Sequence, residues 1–348
     1  MGESRVQLTS LLATHYLHPN LSEAHRFFTD FGFQVARRDE HKIYYRGFGE
    51  HPYIYIAEEV STGPKRFVGA VWTVATNADL EVASKIPGAT TVQPSTAPGN
   101  GNFVEMTDPN GIKITLVHGL ELRSTLAEEK PDAIVLNSWE HKPRKGIFQR
   151  PQRGPSKVHK IGHYGLIMDG SKLPETMEWY LKLFNLVPTD ILYDPNTEKD
   201  MMCFLHIDLG EQFSDHHSLF LHAAHGPMDY CTADHSSFEV DNFDSELAGH
   251  DHLEKKGWTQ CWGVGRHMLG SQIFDYWFDA SGFIVEHYSD GDVVNNQTKM
   301  TRQVATPANM ATWGPNVSRA MLTGRIEDAE KFPVTGHGGA RPAAVPTA

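Results

Sequence analysis

At 348 residues the chain has room for about two domains of roughly 150 residues each, and its 40% hydrophobic and 21% charged content is that of a globular protein. A net charge of −12 without any Lys/Arg-rich block argues against a nucleic-acid surface, and no apolar run reaches signal-peptide or membrane-span length. Three scattered cysteines, Cys203, Cys231 and Cys261, imply no disulfide framework, so the chain reads as cytoplasmic.

Residues 11–35 read as a short strand, a Pro-Asn-Leu-Ser entry with Ser22 as N-cap, and a helix. Ala24, Phe27, Phe28 and Phe31 of that helix fall at helical spacing, and Gly32 closes it. Trp72-Thr-Val then precedes a helix over Ala78–Ser84, and Asp108-Pro109-Asn110-Gly111 turns into a strand, Ile112–Val117. Residues 121–155, charged and broken by Pro143, Pro151 and Pro155, read as an arm crossing the surface.

Residues 161–187 repeat the opening layout: a strand carrying His163-Tyr164, as His15-Tyr16 is carried earlier, then a turn and a helix. Phe238-Glu-Val with a helix over Ser245–Lys255 matches the Trp72 region, and Asp279–Gly282 before Phe283–Tyr288 matches the turn at Asp108. Three ordered matches make the halves a duplication, each two successive β-α-β-β-β modules; two unrelated α+β domains are the alternative. The segment from about Thr335, rich in Gly, Pro and Ala, is expected to be disordered.

The halves differ where chemistry would sit. Glu286 lies in an apolar strand, where a lone carboxylate would cost several kcal/mol unless a cation faces it; a strand running out to the surface is the bland reading. The corresponding first-half residue is Thr115. His235 corresponds to Gly69, and only His163 has a histidine counterpart, His15. Two imidazoles and one carboxylate form the set that holds a non-haem Fe(II) and leaves positions open, although Cys231 near His235 keeps zinc in view. His206, His222, His225, His250 and His252 read as surface or satisfied histidines.

Gly265-Arg266-His267, Tyr276 through Asp279-Ala280-Ser281-Gly282, and Glu286 form an ordered set with Gly162–Leu166, Asp215–Leu219 and Asp234-His235. In this set, over residues 8–295, the chain resembles the type I extradiol ring-cleaving dioxygenases. These form the 2,3-dihydroxybiphenyl dioxygenase group of the vicinal oxygen chelate (glyoxalase–bleomycin resistance–dioxygenase) superfamily. The resemblance implies an α+β fold of two tandem vicinal-oxygen-chelate domains, each a pair of βαβββ modules around a curved mixed sheet. Their bounds would be 1–120, with its metal site lost, and 156–295, catalytic, joined by the 121–155 arm and followed by a 296–348 extension.

It also implies His163, His235 and Glu286 as ligands of Fe(II), with Mn(II) fitting the same set. His217 would be the acid/base, Tyr276 would bond the substrate oxygen, and His267 would line the same side. The reaction expected is extradiol cleavage of a substituted catechol by O2 to a semialdehyde or ketoacid, in an aromatic-rich neighbourhood of Trp262, Met268, Phe274, Trp277 and Phe278. Alternatives on the same fold are a 2-oxoacid-type dioxygenase, a glyoxalase-like isomerase or a metal-free small-molecule binding protein. No nucleic-acid or membrane partner is expected, and homo-oligomerisation stays open. Two departures stand out: Ala280 for proline, and Asp275 for an apolar residue, which bears on pocket chemistry.

Overall fold

The computed structural model describes residues 5–60, 62–306 and 309–330, so the expected disordered end from Thr335 lies outside them. Four modules follow one another. The first is β1 (Leu8–His18), α1 (Leu21–Phe31), β2 (Gln34–Arg38), β3 (Lys42–Arg46) and β4 (Tyr55–Glu59). The second is β5 (Arg66–Val74), α2 (Asn77–Ala83), β6 (Gln93–Pro94), β7 (Asn102–Thr107) and β8 (Lys113–His118). The third holds β9 (Val158–Met168), α3 (Leu173–Leu183), β10 (Leu186–Tyr193), β11 (Asp200–Ile207), β12 (Ser214–Asp215) and β13 (Leu219–Ala223). The fourth holds β14 (Thr232–Val240), α4 (Phe243–Lys255), β15 (Thr259–Arg266), β16 (Ile273–Phe278) and β17 (Ile284–Ser289). A C-terminal segment adds β18 (Val293–Val294), β19 (Thr301–Val304) and α5 (Arg319–Thr323).

The modules form two large curved mixed sheets with strand orders β2-β3-β4-β1-β5-β8-β7-β6 and β15-β16-β17-β14-β9-β13-β11-β10-β19. In both, the first strand of each module pairs parallel with its last, and the two first strands pair antiparallel at the centre. The duplication is therefore a shared register. Thr115 is opposite Val71, one residue before Trp72, as Glu286 is opposite Ser237, one residue before Phe238.

Helix α1 forms because Leu21, Ala24, Phe27, Phe28 and Phe31 make one buried stripe. Its N-cap is Asn20, whose side chain accepts from the Glu23 amide, not Ser22: Asn20 precedes the first helical residue, where an acceptor can reach a free N–H. Gly32 ends the helix at φ +106°. Residues 121–155 carry no regular structure beyond a short 3-10 turn, Ala127–Glu129. Glu129 pins that turn between Arg46 and Arg123.

The two sheets share one core and are tied by polar contacts. Tyr16 Oη lies 2.6 Å from Ser236 Oγ, and His287 donates to the Phe31 carbonyl at 2.8 Å while stacking on the Phe31 ring at 3.7 Å. Lys65 and His18 from the first half hold Gly282 and Ser281 of the turn that leads into β17. In that turn Asp279 Oδ1 accepts from the Ser281 and Phe283 amides and Gly282 sits at φ +78°. Ala280 in place of proline thus leaves the reversal intact. No helix among the described residues is long and apolar enough to cross a membrane.

Candidate metal centre

Strands β17, β14 and β9 are neighbours, and Ser237 of β14 is in register with both Glu286 and His163. Side chains in one row on one face of a sheet share a volume, and His235, two residues before Ser237, joins them. His163 Nε2 lies 3.0 Å from His235 Nε2 and 3.3 Å from Glu286 Oε2, and His235 Nε2 lies 3.7 Å from the same oxygen. All three residues are buried, and neither Glu286 oxygen has a hydrogen-bond partner among the described residues. Burial raises the Glu286 pKa above the usual carboxylate value, against the pull of His235 and His267. An orphaned carboxylate beside two imidazole nitrogens is an unfavourable arrangement by itself and suits a divalent cation. Ligand atoms of these three residues fall within 4.8 Å of one another.

The surroundings fix the tautomers. Asp234 Oδ1 accepts from His235 Nδ1 at 2.7 Å, leaving His235 Nε2 as a lone pair toward His163 and Glu286. Burial alone would lower the His235 pKa, but the adjacent Asp234 carboxylate raises it. Asp234 is lifted by burial yet held below its ordinary value by bonds from His222 and His235. His163 is pushed well below the ordinary imidazole value by burial and by its histidine neighbours.

His217 packs on His163 with ring centroids 4.0 Å apart. Behind it, Asp190 accepts from Thr301 and from His216 Nε2 (2.8 Å), which leaves His216 Nδ1 to accept from His217 Nδ1 at 3.1 Å. The chain of bonds points the His217 Nε2 lone pair to the cavity. Burial first, then His163 and His216, keep this imidazole neutral by lowering its pKa. On the opposite side His267 Nδ1 donates to the Met310 carbonyl (2.8 Å), so its Nε2 accepts from the Tyr276 hydroxyl at 2.9 Å. Burial holds the Tyr276 pKa well above that of a free phenol.

All six residues singled out by sequence therefore meet at one place, apart from Glu286 lining a common cavity of about 80 Å³ that leads into a groove of about 1300 Å³. Several neighbours were given no role by sequence reasoning. Asp234, Asp190 and His216 orient the histidines just described. Met310, Val317, Met321 and Leu322 of the C-terminal segment roof the cavity, with Trp262 Nε1 donating to the Pro315 carbonyl and Ser318 to that of Cys261. Their segment carries no periodic pattern that would have announced them. His222, read as a bland histidine, lines the cavity, and strand alternation could have found it, because Leu219, Leu221 and Ala223 take the core face.

Two further expectations need correction. Of the aromatic-rich neighbours only Trp262 lines the cavity, while Met268 is exposed and Trp277 belongs to the main core. Asp275 points away from Tyr276, as adjacent strand residues must. It accepts from His250, Gln260 and Trp277, so it braces α4 and β15 rather than altering the pocket.

The first sheet has its own cavity of about 430 Å³ lined by His15, Gly69 and Thr115. Most of its charges are paired: Glu58 lies 3.0 Å from His15 and 2.6 Å from Lys42, and Glu105 pairs with Lys113, while Arg66 lines the same cavity without an ion pair among the described residues. Gly69 is at φ +158°, and a Cβ there would fall 1.8 Å from the Lys113 carbonyl oxygen. A histidine cannot occupy that position without moving the backbone.

Comparison places this architecture. Homoprotocatechuate 2,3-dioxygenase from Brevibacterium fuscum, in complex with 3,4-dihydroxyphenylacetate, matches with a TM-score of 0.72 at 15% identity, over 92% of this chain and 93% of that one. The Mn(II)-bound glyoxalase from Novosphingobium aromaticivorans matches with a TM-score of 0.71 at 18% identity, over 91% and 94%. The chain has the two-domain vicinal-oxygen-chelate fold. Metapyrocatechase 2 from Cupriavidus necator is 33% identical over 121 residues, which is 34% of this chain and 35% of that protein. The match thus spans about a third of the relative's length. No family model matches.

Proposed function

We propose that this chain is an extradiol dioxygenase that opens a catechol ring beside its hydroxyls with O2, using Fe(II) or Mn(II) held by His163, His235 and Glu286. The observation that carries the reading is the unpartnered Glu286 carboxylate facing two oriented imidazoles, with His217 on one side and the Tyr276–His267 pair on the other. The homoprotocatechuate 2,3-dioxygenase and metapyrocatechase likenesses support the same reaction class. When bound, the metal would act as a Lewis acid toward the catechol and link its electrons to O2.

The protein's own part is proton handling and exclusion of water. His217, neutral and with Nε2 turned to the cavity, takes a catechol proton and returns it. The Tyr276 hydroxyl donates its hydrogen bond to His267 Nε2, so its oxygen is free to accept one from a substrate hydroxyl. The C-terminal roof of Met310, Val317 and Met321 keeps the reacting face dry. Three unpaired cysteines fit a reducing cytoplasm. The test is anaerobic loading with Fe(II) or Mn(II), then admission of air and a panel of catechols. A yellow product with about one O2 consumed per catechol is expected. Bound metal without catechol turnover would favour an oxoacid or isomerase activity, and absence of metal binding would favour a small-molecule binding protein.

A further inference from the structure

Beyond the groups that face the reacting ring, the cavity wall carries a buried imidazole nitrogen without a hydrogen-bond partner among the described residues. His222 on β13 is tied through Nδ1 to Asp234 Oδ2 at 2.8 Å, while its Nε2 is buried and has no hydrogen-bond partner among the described residues. Asp234 as a carboxylate can only accept, so the proton of a neutral His222 sits on Nδ1 and Nε2 presents a lone pair. An unused buried acceptor costs free energy unless something that enters the site donates to it.

The position of that atom says what enters. The Phe220 ring lies between His222 and His235, with centroid separations of 5.6 and 5.8 Å, and stacks on Phe204 at 4.9 Å. His222 is thus displaced from the metal ligands along the cavity wall, beside His225 and Met202, which line both the inner cavity and the outer groove. A group reaching it belongs to a ring substituent and not to the two hydroxyls at the reacting face. The remaining wall is mostly apolar, with Leu192, Met202, Trp262, Val317 and Met321, and its other polar side chains, Gln272 and Asn309, are uncharged. Among the described residues no lysine or arginine lines the inner cavity, so a substituent carboxylate would be buried there without a counter-charge.

We infer that His222 is a specificity-determining residue, and that the preferred substrates are catechols with an uncharged, mostly apolar substituent carrying one hydroxyl or N–H donated to His222 Nε2. This rests on the extradiol reading above. The alternative, that His222 only positions His235 through Asp234, makes a different prediction: its loss would weaken the metal site and every catechol alike.

The test uses the full chain loaded with Fe(II) and kept anaerobic, titrated calorimetrically with 3- and 4-ethylcatechol and 3- and 4-(hydroxymethyl)catechol. Members of each pair match in size and differ by one hydroxyl. His222→Asn keeps an N–H at the Nδ1 position for Asp234 and deletes the acceptor, and His222→Gln places an oxygen near the Nε2 position. The wild type should bind at least one hydroxymethyl isomer more tightly than its ethyl partner. His222→Asn should weaken that isomer about tenfold, with the ethyl Kd and iron content unchanged, and His222→Gln should restore much of the preference. A preference that is the same in wild type and His222→Asn overturns the assignment. So does an equal loss for both partners together with loss of iron. If catechols bind and are cleaved with no hydroxymethyl preference, the assignment alone fails. If the iron-loaded protein binds none of the four, the assignment fails together with the extradiol reading.

Discussion

Phe31, at the end of the first helix, stacks on His287 at 3.7 Å and accepts its Nε2–H at 2.8 Å. The contact joins the two halves one residue beyond Glu286. The first half thus braces the strand that carries the buried carboxylate. Phe31→Ala should cost roughly 3–5 kcal/mol by cavity formation and also weaken metal retention, although no atom of Phe31 belongs to the centre. Denaturant unfolding with and without added Mn(II) separates the two effects. Equal destabilisation in both conditions would show that the brace does not reach the ligands.

Glu286→Gln removes a buried charge that has no partner in the metal-free protein. The metal-free variant should be more stable than the metal-free wild type by about 1–3 kcal/mol, while its metal content falls toward zero. Thermal unfolding and elemental analysis read the two. Full metal content in the variant would remove Glu286 from the ligand set.

His217→Ala should retain metal and lower kcat by about 10²–10⁴, the range for a lost general acid–base. Asp190→Asn should act in the same direction at a distance, because an amide can reverse the proton on His216 and so turn the His217 lone pair into an N–H. Single-turnover rates after rapid mixing with oxygen measure both. Normal turnover in Asp190→Asn would break the relay from Asp190 to His217.

The Asp279 carboxyl is raised by burial from 3.8 to about 6, partly offset by amide hydrogen bonds from Phe283 and Ser281. A carboxyl with a raised folded-state pKa favours folding where it is protonated in both states, below about pH 4. That contribution is lost as the pH rises through about 6, and the shift is worth about 3 kcal/mol. Asp279→Asn keeps the amide acceptor without the titration. The stability of the metal-free wild type relative to this variant should therefore fall by about that amount between pH 4 and pH 7, measured by urea unfolding. A pH-independent difference would show that Asp279 titrates normally.

The sheet pattern was legible in the sequence because duplication repeats its landmarks: His-Tyr on an opening strand, a phenylalanine-rich helix, and an Asp-Gly turn before an apolar strand. His235 and Glu286 stood out because the first half holds Gly69 and Thr115 in their places, whereas His163, matched by His15, was chosen with them through the family resemblance. Residues acting through another side chain were harder to find. Asp234 and Asp190 look like ordinary strand carboxylates until the fold sets imidazoles against them. The roof residues Met310, Val317 and Met321 follow no helical or strand period, and only their tertiary position brings them over the cavity. Asp275 was misjudged through adjacency to Tyr276, although neighbours in a strand face opposite sides.

Gly69 closes the first half to the chemistry of the second. Placing histidine and glutamate at the first-half counterparts of His235 and Glu286 would not build a second centre, since a side chain at position 69 collides with the Lys113 carbonyl. That close approach belongs to the β5–β8 pair, and relieving it would require moving main chain that the shared core holds. The first half serves as a scaffold, and new activities in such a chain would be reached by reshaping its second cavity rather than by building a centre in its first.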